Sequence, residues 1–364
     1  MRIVFRTDAS IQIGTGHVMR CLTLADAFRE KGAQCTFICR LHSGHLLELI
    51  HQRGHEPLAL PSATDSCLVP TEAGYMHWLG TDWISDAQQC QQALGDQMLD
   101  WLVIDHYSLD RRWESVLRKN TQRILVIDDL ANRPHECDVL LDQNLGRFPK
   151  DYFGLINEGT TKLIGPQYSL LRPEFAAIRD QSLARRRNQS QLKHLLITMG
   201  GVDKNNATCQ VLDALMTCKL PHDLRLSIVM GSRSPWLNQV QRQVANMPWP
   251  AEVLTDVSNM AQVMESCDLA IGAAGGTVWE FCAVGLPSVL LIQAENQMMS
   301  AVALQNVNAA RVLNSYHQMN ELLYNLHLFN PMNTQLLELA HAAAEVTDGS
   351  GCERVVQQIL KNHA

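Results

Sequence analysis

Short runs of β-branched and apolar residues alternate along the whole chain with stretches in which apolar side chains return every three or four positions. The first pattern has the length of a buried strand, the second the period of an amphipathic helix. In the first half the strand-like runs are Arg2–Thr7, Gln34–Cys39, Pro57–Leu60, Trp101–Asp105, Ile124–Asp128 and Asp138–Leu141. In the second half they are His194–Thr198, Arg225–Met230, Glu252–Leu254, Asp268–Gly272 and Ser288–Ile292. Between the two sets, residues 179–190 (RDQSLARRRNQS) are polar and basic and read as an exposed linker. The pattern predicts an α/β protein with two doubly wound, Rossmann-like domains, 1–178 and 191–364, each on a parallel sheet. Two helical stretches in the tail, Leu336–Val346 and Cys352–Lys361, are candidates to fold back on the first domain. A ligand is expected where two such domains face each other.

Composition narrows the class without naming a reaction. A formal net charge of −7 gives no global pull toward nucleic acid or an anionic membrane, so any phosphate must be bound locally. The N-terminal segment enters a strand at once and carries Arg6 and Asp8 rather than a signal-like apolar stretch. No apolar run has the length of a membrane span. Eleven cysteines, an odd number with no CxxC pair, sit mostly inside apolar runs and read as reduced core thiols of a cytoplasmic protein.

Three loops carry candidate chemistry. Gly14-Thr15-Gly16-His17 joins the first strand to the first helix, where Val18, Cys21, Leu22, Ala25 and Phe28 hold helical spacing. Gly14 and Gly16 allow a tight turn and close ligand approach, and the helix start offers unpaired N–H groups to an anion. His17 is either a lining residue or a proton acceptor beside that anion. The loop is not a dinucleotide fingerprint, because Met19 stands where GxGxxG has its third glycine. Asp105, ending a strand in Ile104-Asp105-His106-Tyr107, either caps the next helix or orients a histidine, and Asp8 is the alternative orienter. His106 and Tyr107 are candidate sugar contacts. Asp128, Asp129 and Asn144 repeat that strand-end geometry, with capping the more ordinary reading.

In the second half, Met199-Gly200-Gly201-Val202-Asp203 and Asn206 follow one strand, and the small-residue loop Gly272-Ala273-Ala274-Gly275-Gly276-Thr277 follows another. Such a loop at a helix start is a natural diphosphate cradle, unless its glycines serve only close strand–helix packing. Glu280, one turn on, is placed to meet vicinal ribose hydroxyls, and Asn296 in Glu295-Asn296-Gln297 is a candidate sugar contact. No metal-ligand spacing and no GxSxG elbow is present; His42, His45, His51 and His55 read as surface residues.

Taken together, FRTDASIQIGTGHVMR at the N-terminus, IDHY at 104–107, IDD at 127–129, MGGVD at 199–203 and ENQ at 295–297 resemble one family. It is the UDP-sugar hydrolases of pseudaminic acid biosynthesis (PseG), wider relatives of glycosyltransferases with the GT-B architecture. The resemblance implies hydrolysis of UDP-2,4-diacetamido-2,4,6-trideoxy-β-L-altrose, with inversion and without a metal or other cofactor. His17 is then the catalytic base, Asn206, Glu280 and Asn296 contact the substrate, and Tyr107 lies on the sugar side. Gly275, Gly276 and Thr277 belong to a UDP loop that is glycine-richer here than the family form, a departure that touches Thr277 and Gly276 more than Glu280. The implied partners are the UDP-sugar and UDP, with no nucleic acid and no membrane, for a monomeric protein. A GT-B glycosyltransferase with a UDP-sugar donor and a non-catalytic nucleotide-sugar binder are the alternatives.

Overall fold

A computed structural model describes residues 1–62, 74–188, 191–313, 316–319 and 334–361. The chain forms two compact units, one of Met1–Leu170 with Cys352–Ala364 and one of Leu171–Gly351. The break falls ahead of the expected end of the first domain, and the last residues join the first unit.

In the first unit, β1 (Arg2–Thr7), β2 (Gln34–Arg40), β3 (Glu56–Leu60), β4 (Leu99–Asp105), β5 (Thr121–Ile127), β6 (Val139–Asp142) and β7 (Thr161–Ile164) form one parallel sheet. Its order is β3-β2-β1-β4-β5-β6-β7. Both faces are covered, which is why these strands read as continuous apolar runs. Ile3, Phe5, Trp101, Val103, Leu125 and Ile127 join the core beside α1 (Gly16–Glu30). Val4, Leu102, Ile104, Ile124 and Val126 face the opposite core with Trp113. The helix Gly351–Lys361 completes the first of these layers with buried Cys352, Val355, Val356 and Ile359.

The second unit repeats the plan. Strands β8 (His194–Thr198), β9 (Arg225–Met230), β10 (Ala251–Thr255), β11 (Leu269–Ala273), β12 (Ser288–Leu291) and β13 (Arg311–Leu313) pair in parallel, in the order β10-β9-β8-β11-β12-β13. The runs expected as strands are strands, with ends moved by a residue or a few. Two edge strands were not expected, β7 and β13. They span four and three residues and are only partly buried, too little for a hydrophobic pattern to register.

The expected linker is corrected by the structure. Its residues up to 188 are the second half of a helix, Pro173–Asn188, packed into the second unit, while 189–190 lie outside the described residues. The arginines are the reason. Arg186 is 4% exposed and donates to the carbonyls of Met264, Cys267 and Val284. Arg179 donates to those of Ala283, Ala344 and Thr347. These carbonyls lie at the C-terminal ends of the helices Met260–Ser266, Thr277–Ala283 and Gln335–Ala344. Helix ends leave such oxygens without intrahelical partners, and a guanidinium satisfies several at once. Hydropathy scores the arginine and cannot see the carbonyls. Among the described residues no helix is long and apolar enough to cross a membrane.

Arg186→Ala should therefore lower stability by about 3 kcal/mol, since it strands several buried carbonyls. The exposed neighbour variant Arg187→Ala should change it by less than about 0.5 kcal/mol. Urea denaturation of the two side by side checks this, and equal stabilities would contradict the packing.

Candidate active site

Strands β1 and β4 are neighbours in the sheet, yet the chain continues outward from them in opposite directions. At such a switch point the loops leave a crevice at the C-terminal strand ends. The loop after β1 fills one side of it. The Ser10 hydroxyl accepts from the N–H groups of Gln12 and Ile13, and the N–H of Gly14 donates to the Ser10 carbonyl at 2.8 Å. Gly14 holds φ +83°, where a side chain would be strained. A Cβ at Gly16 would meet nothing within 4 Å, so this glycine faces open space. The first helix begins here without a side-chain cap.

His17 projects from the first turn of α1 toward the end of β4. Its Nδ1 lies 2.6 Å from Asp105 Oδ1. Arg20, three residues on, holds the same carboxylate with two bonds, Nε to Oδ2 and Nη2 to Oδ1, both 2.6 Å. Burial of Asp105 would raise its affinity for protons, but Arg20 and then His17 outweigh that and hold the carboxyl well below its usual range. An ionised Asp105 accepts only, so the neutral imidazole carries its proton on Nδ1 and keeps its lone pair on Nε2. The 3.3 Å approach of Arg20 Nη2 to Nδ1 is then two donors sharing one oxygen.

Of the two carboxylates considered for His17, the structure brings Asp105 to the ring and leaves Asp8 elsewhere. Asp8 pairs with Arg6 at 2.8 Å, accepts from the N–H of Arg40 and lies 3.2 Å from His106 Nε2. Arg6 and Asp86 extend this pairing into the interior, so Asp8 belongs to a buried charge network beneath the loop.

Aromatic rings wall the histidine. Tyr107 meets it edge-on with centroids 4.6 Å apart, and Trp78 stacks on Tyr107 at 5.5 Å with Tyr75 alongside. The Tyr107 hydroxyl donates to Asp129, which also holds Arg20 Nη1 at 2.8 Å. Arg20 lies within the GTGHVMR motif, but its partners were not legible. Trp78 and Tyr75 had no signal, since no strand or glycine loop marks them.

In the second unit the corresponding neighbours are β8 and β11. In the loop after β8, Asp203 accepts from the N–H groups of Ala207 and Thr208 at the start of the helix Ala207–Met216. Asn206 sits in the left-handed region at φ 52°, with its Oδ1 buried and unpaired. After β11 the glycines divide by role. A Cβ on Gly272 would come within 3.0 Å of Phe281, so this one serves strand–helix packing. At Gly275 the nearest atom is Gln297 Nε2 at 3.6 Å, and at Gly276 there is none within 4 Å. The helix Thr277–Ala283 starts there without a side-chain cap. Glu280 is half-buried, and burial lifts its carboxyl to about 7 against the opposing pull of Arg172. Asn296 lies in the 3-10 turn Glu295–Gln297.

Residues 186–355 match the Glycosyltransferase family 28 C-terminal domain. The chain is 25% identical over 303 residues to an uncharacterized protein of Methanocaldococcus jannaschii, covering 82% of this chain and 57% of that one. It is 27% identical over 281 residues to the UDP-2,4-diacetamido-2,4,6-trideoxy-beta-L-altropyranose hydrolase of Campylobacter jejuni, 77% of this chain and 87% of that one. The MurG structure of Acinetobacter baumannii superposes with a TM-score of 0.67 at 17% identity, over 99% of each chain. The fold is the GT-B fold of glycosyltransferases. The motif resemblance to PseG proteins is thus matched by similarity over most of the chain.

The raised Glu280 carboxyl gives a pH test. Its ordinary value is 4.5, and folding lifts it to about 7. Between these values the folded state holds a proton that the unfolded state has lost, so its stabilising contribution fades as pH rises through 7. The urea midpoint of Glu280→Gln, measured relative to the unsubstituted protein, should therefore climb from pH 5 to pH 8. A pH-independent difference would contradict the shift.

Proposed function

We propose that this protein hydrolyses a UDP-sugar by water attack at the anomeric carbon with inversion, and that His17 is the base. The observation that carries this reading is the 2.6 Å pair between His17 Nδ1 and Asp105, which leaves the other ring nitrogen of the neutral imidazole as the proton acceptor. Similarity to the Campylobacter hydrolase supports the substrate UDP-2,4-diacetamido-2,4,6-trideoxy-β-L-altrose and a place in pseudaminic acid biosynthesis.

Inverting hydrolysis of a glycoside ordinarily uses an acid and a base on opposite faces of the sugar. A diphosphate leaves as a stable anion, so the acid can be dispensed with and charge stabilisation takes its place. The open turn at Gly275, Gly276 and Thr277 is assigned that task, each well-aimed donor being worth about 3–4 kcal/mol. Glu280 receives the ribose, while Asn206, Asn296 and Tyr107 contact the sugar. Gly14 and Gly16 leave room for it beside His17. We assign the enzyme to the cytoplasm as a monomer.

A glycosyltransferase is the second reading, favoured by the family 28 match over residues 186–355. Incubation with the UDP-sugar alone, followed by proton NMR, separates the two. A hydrolase releases UDP and the free sugar, initially as the inverted anomer; a transferase without acceptor leaves the substrate intact.

His17→Asn should reduce turnover roughly a thousandfold, within the usual range for a lost base, while UDP affinity stays unchanged. Glu280→Ala should instead raise KM with little change in kcat. Full turnover by His17→Asn would remove the base assignment.

A further inference from the structure

Five side chains, the histidine among them, close a ring. His17 bonds Asp105, Asp105 bonds Arg20, Arg20 bonds Asp129, Asp129 accepts the Tyr107 hydroxyl, and the Tyr107 ring returns to His17. Asp129 accepts hydrogen bonds from the Tyr107 hydroxyl and from Asn144 Nδ2 at 3.3 Å, and forms an ion pair with Arg20 Nη1 at 2.8 Å. Asp105 is fully buried, while the side chains of His17, Arg20 and Asp129 are 11%, 12% and 10% exposed. In so dry a cluster, net charge governs how easily a further proton is accepted.

We propose that Arg20 and Asp129 are positioning residues that set the charge around His17, so that the ring of groups becomes neutral when the imidazole takes up a proton. Two carboxylates against one guanidinium leave a net charge of minus one while His17 is neutral. Proton transfer from water brings the total to zero at the moment the base is needed. Without Arg20, two carboxylates would hold the proton on the ring at rest, and the base would be spent before substrate arrives. Without Asp129, Arg20 would cancel Asp105 and the imidazolium would gain no net support. Asp129 thus becomes part of the machinery, acting through Arg20 and Tyr107, rather than a helix cap at a strand end.

The other groups near the ring pair off. On α1, burial pushes the Cys21 thiol up, so it stays neutral beside Asp105. From the segment Met76–Leu79, Trp78 approaches the imidazole edge-on, and His77 stands beyond it against the indole. Beyond Tyr107, Arg133 pairs with Asp128 at 2.7 Å, and Arg147 pairs with Asp142 at 2.9 Å. Asp142 is itself lifted to about 7 by burial and by Asp129, so a second titration stands behind Asp129.

The test reads His17 directly and also reads turnover, because the inference rests on His17 being the base. The imidazole Hε1 resonance, assigned by its loss in His17→Asn, is followed against pH by NMR. Arg20→Gln should move the titration midpoint to higher pH by about one unit or more, and Asp129→Asn should move it to lower pH. Arg20→Lys keeps the charge and should stay near the unsubstituted midpoint, which carries the test if Arg20→Gln unfolds. Asp142→Asn removes the second titration and should leave both opposite displacements in place. A merely structural role would displace the two variants together or not at all, and either result in folded protein overturns the proposal. With UDP-sugar, the acid limb of kcat/KM should follow the same two directions. Opposite NMR displacements in a protein without hydrolase activity would uphold the charge balance and remove the hydrolase reading. An active hydrolase lacking those displacements would do the reverse.

Discussion

The adjacency of β1 and β4 is the constraint on which the first unit's chemistry depends. Parallel pairing sets Thr7 beside Asp105, and the loop that leaves β1 must cross the strand end carrying that carboxylate. A helix begun at Gly16 then delivers His17 and Arg20 to the same side, because residues three apart share a helix face. Asp105 would be a costly buried charge by itself. Held by Arg20 and His17 it is stable, and it fixes which imidazole nitrogen carries the proton. Sheet order, helix period and carboxylate ionisation together determine the tautomer.

Much of this was legible in the sequence because it is written in apolar runs. Two buried faces per sheet make strands such as Arg2–Thr7 and His194–Thr198 stand out. What hydropathy could not show is held by polar groups. Residues 179–188 read as linker because Arg179, Arg185 and Arg186 look solvated, whereas backbone carbonyls and Asp268 bury or half-bury them. Edge strands β7 and β13 escaped for the opposite reason: their few residues are half-covered and carry little pattern.

The candidate site divides along the same line. Residues that follow glycine turns within one helical turn, such as His17 and Glu280, were visible because glycine marks the turn. Asp8 and Asp105 were indistinguishable as strand-end aspartates, and only the third dimension separates them: Asp8 meets Arg6, Asp105 meets His17. Gly272 and Gly276 were equivalent letters in one loop, yet one packs against Phe281 and the other faces nothing. Trp78 and Tyr75, which complete the aromatic wall, belong to no motif.

The closing helix has a consequence for biosynthesis. A core layer begun by Ile3 and Phe5 receives Val355, Val356 and Ile359 only after the whole second unit has been translated. Domains made of one continuous segment fold as they leave the ribosome. Here the later unit, unbroken from Leu171 to Gly351, has all its residues before the earlier one does. Until then α1 covers that layer of the N-terminal sheet without the helix that completes it.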